Sequence, residues 1–70
     1  MALTKRSFSL SGHRTSVALE AEFWAVLEAE ARQQALSMAA FVGRIDAARG
    51  ARPLASALRL AALAAAKSGS

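Results

Sequence analysis

The sequence predicts a mainly α-helical fold with one β-strand per chain. Apolar and polar side chains alternate along residues 13–20, which is the period of a strand. Apolar side chains recur every three or four residues along 21–35, 37–49 and 53–67, which is the period of a helix. The chain is 70 residues long and has no cysteine, so no disulfide can stabilise its small core.

The predicted strand has two chemically different faces. Successive side chains point to opposite sides of a strand. Val17 and Leu19 therefore share one face, and Arg14, Ser16 and Ala18 share the other. The first face is suited to a core and the second to solvent or a polar ligand.

The segment before this strand is predicted to be a basic N-terminal arm, residues 1–12. It carries Lys5 and Arg6 and no acidic residue. Residues 7–11 also alternate, and Gly12 indicates a kink, bulge or turn between two extended pieces. We expect no internal repeat in the chain.

Two helices follow the strand. The first is predicted over 21–35 and the second over 37–49. Ser37 is a suitable N-cap for the second helix, because its hydroxyl can accept a hydrogen bond from a backbone N–H of the first turn. Gly50 is a suitable C′ residue, since glycine adopts the left-handed conformation that commonly ends a helix.

A third helix is predicted over 53–67, with Pro53 in its first turn. Its leucines, such as Leu54 and Leu58, favour an extension of the core. Its basic residues leave two alternatives open, contact with flanking DNA and docking of a partner protein.

A single strand predicts a homodimer. Its backbone donors and acceptors would be unpaired in one chain, and pairing with the same strand of a second copy would satisfy them. Such pairing about a two-fold axis gives an intermolecular two-stranded antiparallel ribbon over helices. The residues predicted to form the dimer core are Val17, Leu19, Phe23, Leu27, Phe41, Val42 and Ile45.

Composition argues against several functional classes. The chain has one histidine and no cysteine, which predicts no metal site and no cysteine nucleophile. It is too short to enclose a substrate pocket of roughly 300 Å³ or more, and no cofactor is predicted. Its longest weakly polar run, residues 54–66, is shorter than the roughly 20 residues of a membrane span. We expect a cytoplasmic protein that is not an enzyme and has no membrane partner.

The charge pattern indicates a polyanionic partner. The net charge is +4, and the acidic residues all lie within residues 20–46. Both flanking segments carry only basic charges. This asymmetry favours nucleic acid or an anionic surface.

The phrases GHRTSVALEAEFW, RIDAARG and LASALRL resemble a bacterial subfamily of ribbon-helix-helix proteins with an added C-terminal helix. The resemblance covers about residues 5–64. It implies a homodimer whose ribbon enters the major groove of double-stranded DNA, which is wide enough for two strands.

The resemblance also implies roles for individual residues. Base contacts fall on Arg14, Ser16 and Ala18. Arginine suits guanine and serine suits several bases, whereas alanine can only pack, for instance on a thymine methyl, where a polar or basic residue is expected. Helix N-termini and basic side chains bind phosphate, and the implied phosphate contacts are Lys5, Arg6, His13, Ser37 and Met38.

Two functional hypotheses follow. The first is sequence-specific DNA binding as a homodimer, in a transcriptional repressor or autoregulator. The second is a protein-interaction module, antitoxin-like or adaptor-like, that uses the C-terminal helix and has little DNA affinity. Deletion of residues 53–70 should abolish partner binding but preserve DNA binding by the ribbon.

Overall fold

A computed structural model describes residues 2–68 of the chain. Its elements, in chain order, are β1 (Leu3–Leu10), β2 (His13–Glu20), α1 (Ala21–Gln33), α2 (Met38–Ala48) and α3 (Leu54–Ser68). The two strands form a hairpin that lies against a layer of three helices. The core fills the space between the hairpin and the helices.

Strand β1 occupies the segment that was expected to be an arm. It pairs antiparallel with β2 in the same chain, from Leu3 opposite Glu20 to Leu10 opposite His13. The prediction of one strand per chain is therefore wrong, and β2 takes β1 as its partner in place of the predicted second copy. The physical reason is local: a short turn brings β1 to β2 at a small entropic cost, and the inward side chain of Phe8 is buried in the process.

The turn between the strands has two residues, Ser11 and Gly12. Their φ angles are 51° and 80°. Positive φ at both positions is what a type I′ turn requires, and that turn matches the twist of a hairpin. The turn indicated by Gly12 is confirmed.

Strand β1 is held firmly against α1. Trp24 Nε1 donates a hydrogen bond to the carbonyl oxygen of Thr4 at 2.8 Å. Arg6 Nη1 lies 2.7 Å from Glu28 Oε2, and its guanidinium carbon is 5.1 Å from the centroid of the Trp24 ring. The ring centroids of Phe8 and Trp24 are 5.9 Å apart. These contacts make β1 an integral part of the domain.

Helix α1 ends two residues before its predicted end, at Gln33. The N–H of Leu36 donates to the carbonyl of Ala31 at 2.9 Å, and the N–H of Ala35 donates to that of Arg32 at 3.1 Å. Ala35 has a φ of 56°. This arrangement is a Schellman motif, with alanine where glycine is usual.

Helix α2 is capped as predicted. Ser37 is its N-cap, and the Ser37 hydroxyl oxygen accepts a hydrogen bond from the N–H of Ala40 at 3.1 Å. At the other end Gly50, with a φ of 61°, follows the C-cap Arg49. Both local predictions are confirmed.

Helix α3 completes the core of the chain. Leu54, Leu58 and Ala62 are buried against the other elements. Pro53 lies just before the helix, and its carbonyl accepts a hydrogen bond from the N–H of Ala57 at 3.0 Å. Removal of α3 would therefore expose the core.

The residues predicted to form a dimer core lie in the core of one chain. Buried there are Val17, Leu19, Leu27, Phe41 and Val42, while Phe23 and Ile45 are half-buried and pack against them. The core that was expected to need two copies is thus assembled by β1 and α3 within a single copy. Among residues 2–68, no helix is both long enough and apolar enough to cross a membrane.

Candidate nucleic-acid interface

The hairpin presents a polar surface on the side away from the helices. We call it the outer face and define it by residues Lys5, Ser7, Ser9, Arg14, Ser16 and Ala18. All are exposed except Ala18, which is half-buried. The opposite side, the inner face, comprises Arg6, Phe8, Leu10, Thr15, Val17 and Leu19. The outer face therefore contains the three residues to which base contacts were assigned.

The outer face has the chemistry of a polyanion-binding surface. Its six residues include two cations and three hydroxyls and no acid. Lys5 and Arg14 lie on different strands, near opposite ends of the ribbon. Four residues of strand separate their positions, which corresponds to about 13 Å. Between them, the hydroxyl oxygens of Ser7 and Ser16 are 2.8 Å apart.

Lys5 lies directly opposite Ala18 in the hairpin. Alanine at this position offers no hydrogen bond and no charge. The lysine on the neighbouring strand supplies both at the same level of the ribbon. Lys5 therefore places a polar, charged group beside position 18 on the outer face.

Arg6 is not available for DNA in the same way. Its side chain lies on the inner face, where it is ion-paired with Glu28 and stacked over Trp24. Lys5, its neighbour in the sequence, is exposed. The structure thus separates two cations that were both expected to contact phosphate.

The remaining phosphate candidates lie outside the outer face. His13 is exposed at the hairpin turn, opposite Leu10. The hydroxyl oxygen of Ser37 already accepts the capping hydrogen bond, which leaves its O–H free to donate. The side chain of Met38 packs against the core, so only its backbone N–H, at the positive end of α2, is suited to an anion.

An acidic residue at the end of the hairpin is neutralised within the chain. Arg59 Nη2 lies 3.2 Å from Glu20 Oε1, and Arg59 also stacks over Phe23. The hydrogen bond from the backbone of Glu20 is the main cause that lowers the pKa of its carboxyl; burial opposes it, and the hydrogen bond and positive charge of Arg59 lower the pKa further. The carboxylate stays ionised and paired, which limits its repulsion of a polyanion on the outer face.

A family model described as a ribbon-helix-helix domain matches residues 3–66, which is nearly the whole chain. The chain belongs to the ribbon-helix-helix family. Ribbon-helix-helix proteins are generally DNA-binding regulators, are typically not enzymes and usually dimerise. The matched range includes almost all of α3. Comparison with curated proteins and with solved structures gives no significant match.

Sequence reasoning missed the part of the outer face that β1 contributes, namely Ser7, Ser9 and the orientation of Lys5. The signal was present in the sequence. Residues 5–10 are KRSFSL and residues 14–19 are RTSVAL, two similar segments in which basic, serine and leucine positions coincide. This shared alternation would have predicted two strands with matching faces.

Proposed function

We propose that the chain binds double-stranded DNA in a sequence-specific manner through the outer face of the hairpin, and that it acts as a transcriptional repressor or autoregulator. The observation that carries the proposal is the outer face of a two-stranded ribbon, whose six residues include two cations and three hydroxyls, in a ribbon-helix-helix domain. The acid at the end of this ribbon, Glu20, is paired with Arg59. Repression needs only occupancy of the site, because a ribbon seated in the groove excludes other proteins.

Each outer-face residue has a role in this proposal. Arg14 donates two hydrogen bonds to O6 and N7 of a guanine, Ser16 bonds a neighbouring base edge, and Ala18 contacts a thymine methyl. Lys5 and Ser7 add further base contacts from β1, the other strand of the hairpin.

Phosphate contacts flank the ribbon in the proposal. They come from His13 at the turn and from the N-terminus of α2, through the Ser37 hydroxyl and the Met38 N–H. Such contacts fix position and register and do not select sequence. Arg6 has no direct role, because its guanidinium is engaged by Glu28.

Selection of bound sequences from random DNA, followed by affinity measurements on the enriched element, tests the proposal. Arg14→Ala should cost about 1–3 kcal/mol on that element and far less on random DNA, because it removes a base contact. Arg44→Ala is the matched control, since Arg44 is an exposed cation on α2 that is not one of the outer-face residues. No enrichment, or an equal loss on all sequences from Arg14→Ala, would contradict the proposal.

Salt dependence gives an independent measure. Each phosphate neutralised by the protein makes the slope of log affinity against log salt more negative by about 0.9. A flat response would exclude a DNA interface based on phosphate contacts.

Homodimerisation is part of the proposal, and its interface is not formed by β2 alone. Ribbon-helix-helix proteins usually dimerise. Leu60 and Leu63 on α3 are 45% and 49% exposed, and their i,i+3 spacing puts them on one side of the helix. We propose that a second copy covers this surface. Sedimentation of Leu60→Ser/Leu63→Ser against the wild type tests it, and an unchanged mass would exclude this interface.

The structure changes how the protein-interaction hypothesis can be tested. Deletion of residues 53–70 would remove Leu54, Leu58 and Ala62 from the core and unfold the domain. Loss of any activity in that deletion would carry no information about a partner. Among residues 2–68, no observed contact favours a protein-interaction module over a DNA-binding protein.

A further inference from the structure

We infer that a second copy of this chain docks along the furrow between α2 and α3, which has Ile45 and Ala61 at its centre. A two-fold axis at this centre would pair the acidic end of one furrow with the basic end of the other. The inference rests on the homodimer of the proposed function. It adds the orientation of the two copies and the charges that align them.

Two adjoining depressions form the furrow, and the central pair of residues lines both of them. One depression extends to Phe41 on α2 and Ser68 on α3, and the other to Ala48 on α2 and Ala57 on α3. Residue numbers rise along α2 as they fall along α3, so the two helices run antiparallel. The path along α3 from Ala57 to Ser68 is about 16 Å long at the usual helical rise.

The furrow and the helix beside it have complementary shapes. Small side chains line the α3 side of the furrow, namely Ala61, Ala64 and Ala65. Leu60 and Leu63 are exposed on the same helix, and Leu60 itself lines the furrow. Side chains on a helix pack as ridges into the grooves of a neighbouring helix. A patch that carries both a leucine ridge and an alanine-lined groove can pack on itself, which a two-fold interface requires.

The two ends of the furrow carry opposite charges. Among the described residues that line the Ser68 end, Glu30 is the only charged one. The described residues at the other end include the cations Arg49 and Arg52 and no acid. A two-fold axis reverses the direction of the second copy, so each Glu30 lies at the basic end of the other furrow. A parallel arrangement would bring like charges together.

Glu30 and Arg52 are suited to a contact between copies. Glu30 Oε2 accepts a hydrogen bond from Gln34 at 2.7 Å, and a carboxylate can accept several more. Arg49 is already ion-paired with Asp46 at 2.7 Å. Arg52 is exposed, and within residues 2–68 its guanidinium has no ion pair. By symmetry, the pair between Glu30 and Arg52 of the second copy forms twice in the dimer.

Charge reversal tests this orientation. Glu30→Arg or Arg52→Glu puts like charges at both ends of the interface, and each should raise the Kd of the dimer about tenfold. The double variant Glu30→Arg/Arg52→Glu restores opposite charges at both ends. It should dimerise within about threefold of the wild type. Sedimentation over a range of protein concentrations measures each Kd, and unfolding curves show that each variant is folded.

Glu22→Arg and Arg44→Glu are the matched controls. They make the same charge changes at exposed positions that do not line the furrow. Each should change the Kd of the dimer by less than about twofold. Equal effects of the control and furrow variants would overturn the inference. A double variant that dimerises no better than the two single variants would also overturn it.

Crosslinking tests the position of the axis. Ala61 should lie close to its own counterpart in the second copy, and the protein has no cysteine of its own. Oxidised Ala61→Cys should therefore form a disulfide-linked dimer. Ala65→Cys is the control in the same furrow, because its two copies would be about 12 Å apart along the helices, beyond the roughly 7 Å that a disulfide spans. No crosslink in Ala61→Cys, or equal crosslinking of both variants, would overturn the inference.

The outcomes separate this inference from the proposed function. A dimer that is lost in Leu60→Ser/Leu63→Ser but unaffected by Glu30→Arg and Arg52→Glu would overturn the furrow arrangement alone. A wild type that stays monomeric would overturn the proposed homodimer as well. Selection of a DNA sequence by the wild type tests the outer face separately.

Discussion

The two faces of the hairpin both carry cations but have different physical roles. On the inner face, the cation Arg6 is ion-paired at 2.7 Å and the apolar side chains are buried. On the outer face, Lys5 and Arg14 are exposed and the hydroxyls of Ser7 and Ser16 are hydrogen-bonded to each other. The inner face therefore stabilises the fold, and the outer face is available for a ligand.

Lys5 and Arg6 show why this difference arises. They are adjacent in the sequence and carry the same charge. Because side chains alternate along a strand, one residue decides whether a cation meets solvent or the helical layer. The sign of a charge in a strand thus says little about its role until the face is known.

The largest expected effect separates the two faces by stability. Leu19→Ala on the inner face removes a side chain that is 0% exposed, and should cost about 2–5 kcal/mol of unfolding free energy. Ser16→Ala on the outer face should change it by no more than about 0.5 kcal/mol. Denaturant unfolding measures both. Equal losses would mean that the two faces do not differ in the way described.

A change in the turn should break the alignment of both faces. Gly12→Ala puts a Cβ on a residue with a φ of 80°, and this backbone strain should lower the free energy of unfolding by about 1–2 kcal/mol. No atom lies within 4 Å of the added Cβ, so no clash adds to this cost. Gly43→Ala is the control, because Gly43 lies within α2 with open space around its Cβ, and it should stabilise by up to about 1 kcal/mol. Thermal unfolding of both variants gives the comparison, and a stabilising Gly12→Ala would contradict the type I′ turn.

The adjacent cations give a smaller but sharper contrast. Arg6→Ala loses a partly exposed ion pair and a cation–π contact, and should cost about 1 kcal/mol of stability. DNA affinity of the folded variant should hardly change. Lys5→Ala should do the reverse, with unchanged unfolding and weaker DNA binding. Unfolding curves and DNA-binding isotherms of both variants test this contrast. If both variants lost stability and DNA affinity to the same extent, the assignment of Arg6 and Lys5 to different faces would be refuted.

The smallest expected effect is a pH dependence at the end of the hairpin. The pKa of Glu20 is lowered from its ordinary value of 4.5, so its ionised form stabilises the fold above that value. This contribution is lost as the pH falls through the lowered pKa. Glu20→Gln should therefore unfold at a lower temperature than the wild type near neutral pH, because it removes the carboxylate that Arg59 contacts.

The difference in melting temperature should vanish well below pH 4.5. Glu22→Gln is the control, since Glu22 lies in the first turn of α1 and forms no arginine pair among the described residues. A difference for Glu20→Gln that persists in acid would show that the charge of the carboxylate is not responsible.

Features set by short-range interactions were predicted from the sequence. The cap at Ser37, the end of α2 at Gly50 and the alternation of β2 each depend on a few neighbouring residues. Arg14 and Ser16 were likewise placed on an exposed face by strand alternation alone. Local backbone preference and side-chain period are properties of the segment itself, so they can be inferred without the fold.

The tertiary structure alone decided the partner of β2, the inward position of Arg6 and the place of α3 in the core. Arg6 and Glu28 are 22 residues apart, and no local pattern connects them. A strand can pair with any complementary edge, so the sequence of β2 was compatible with a second copy and with β1. The choice depends on which assembly buries Phe8, Leu10 and Leu58 together, and that burial is a property of the whole chain.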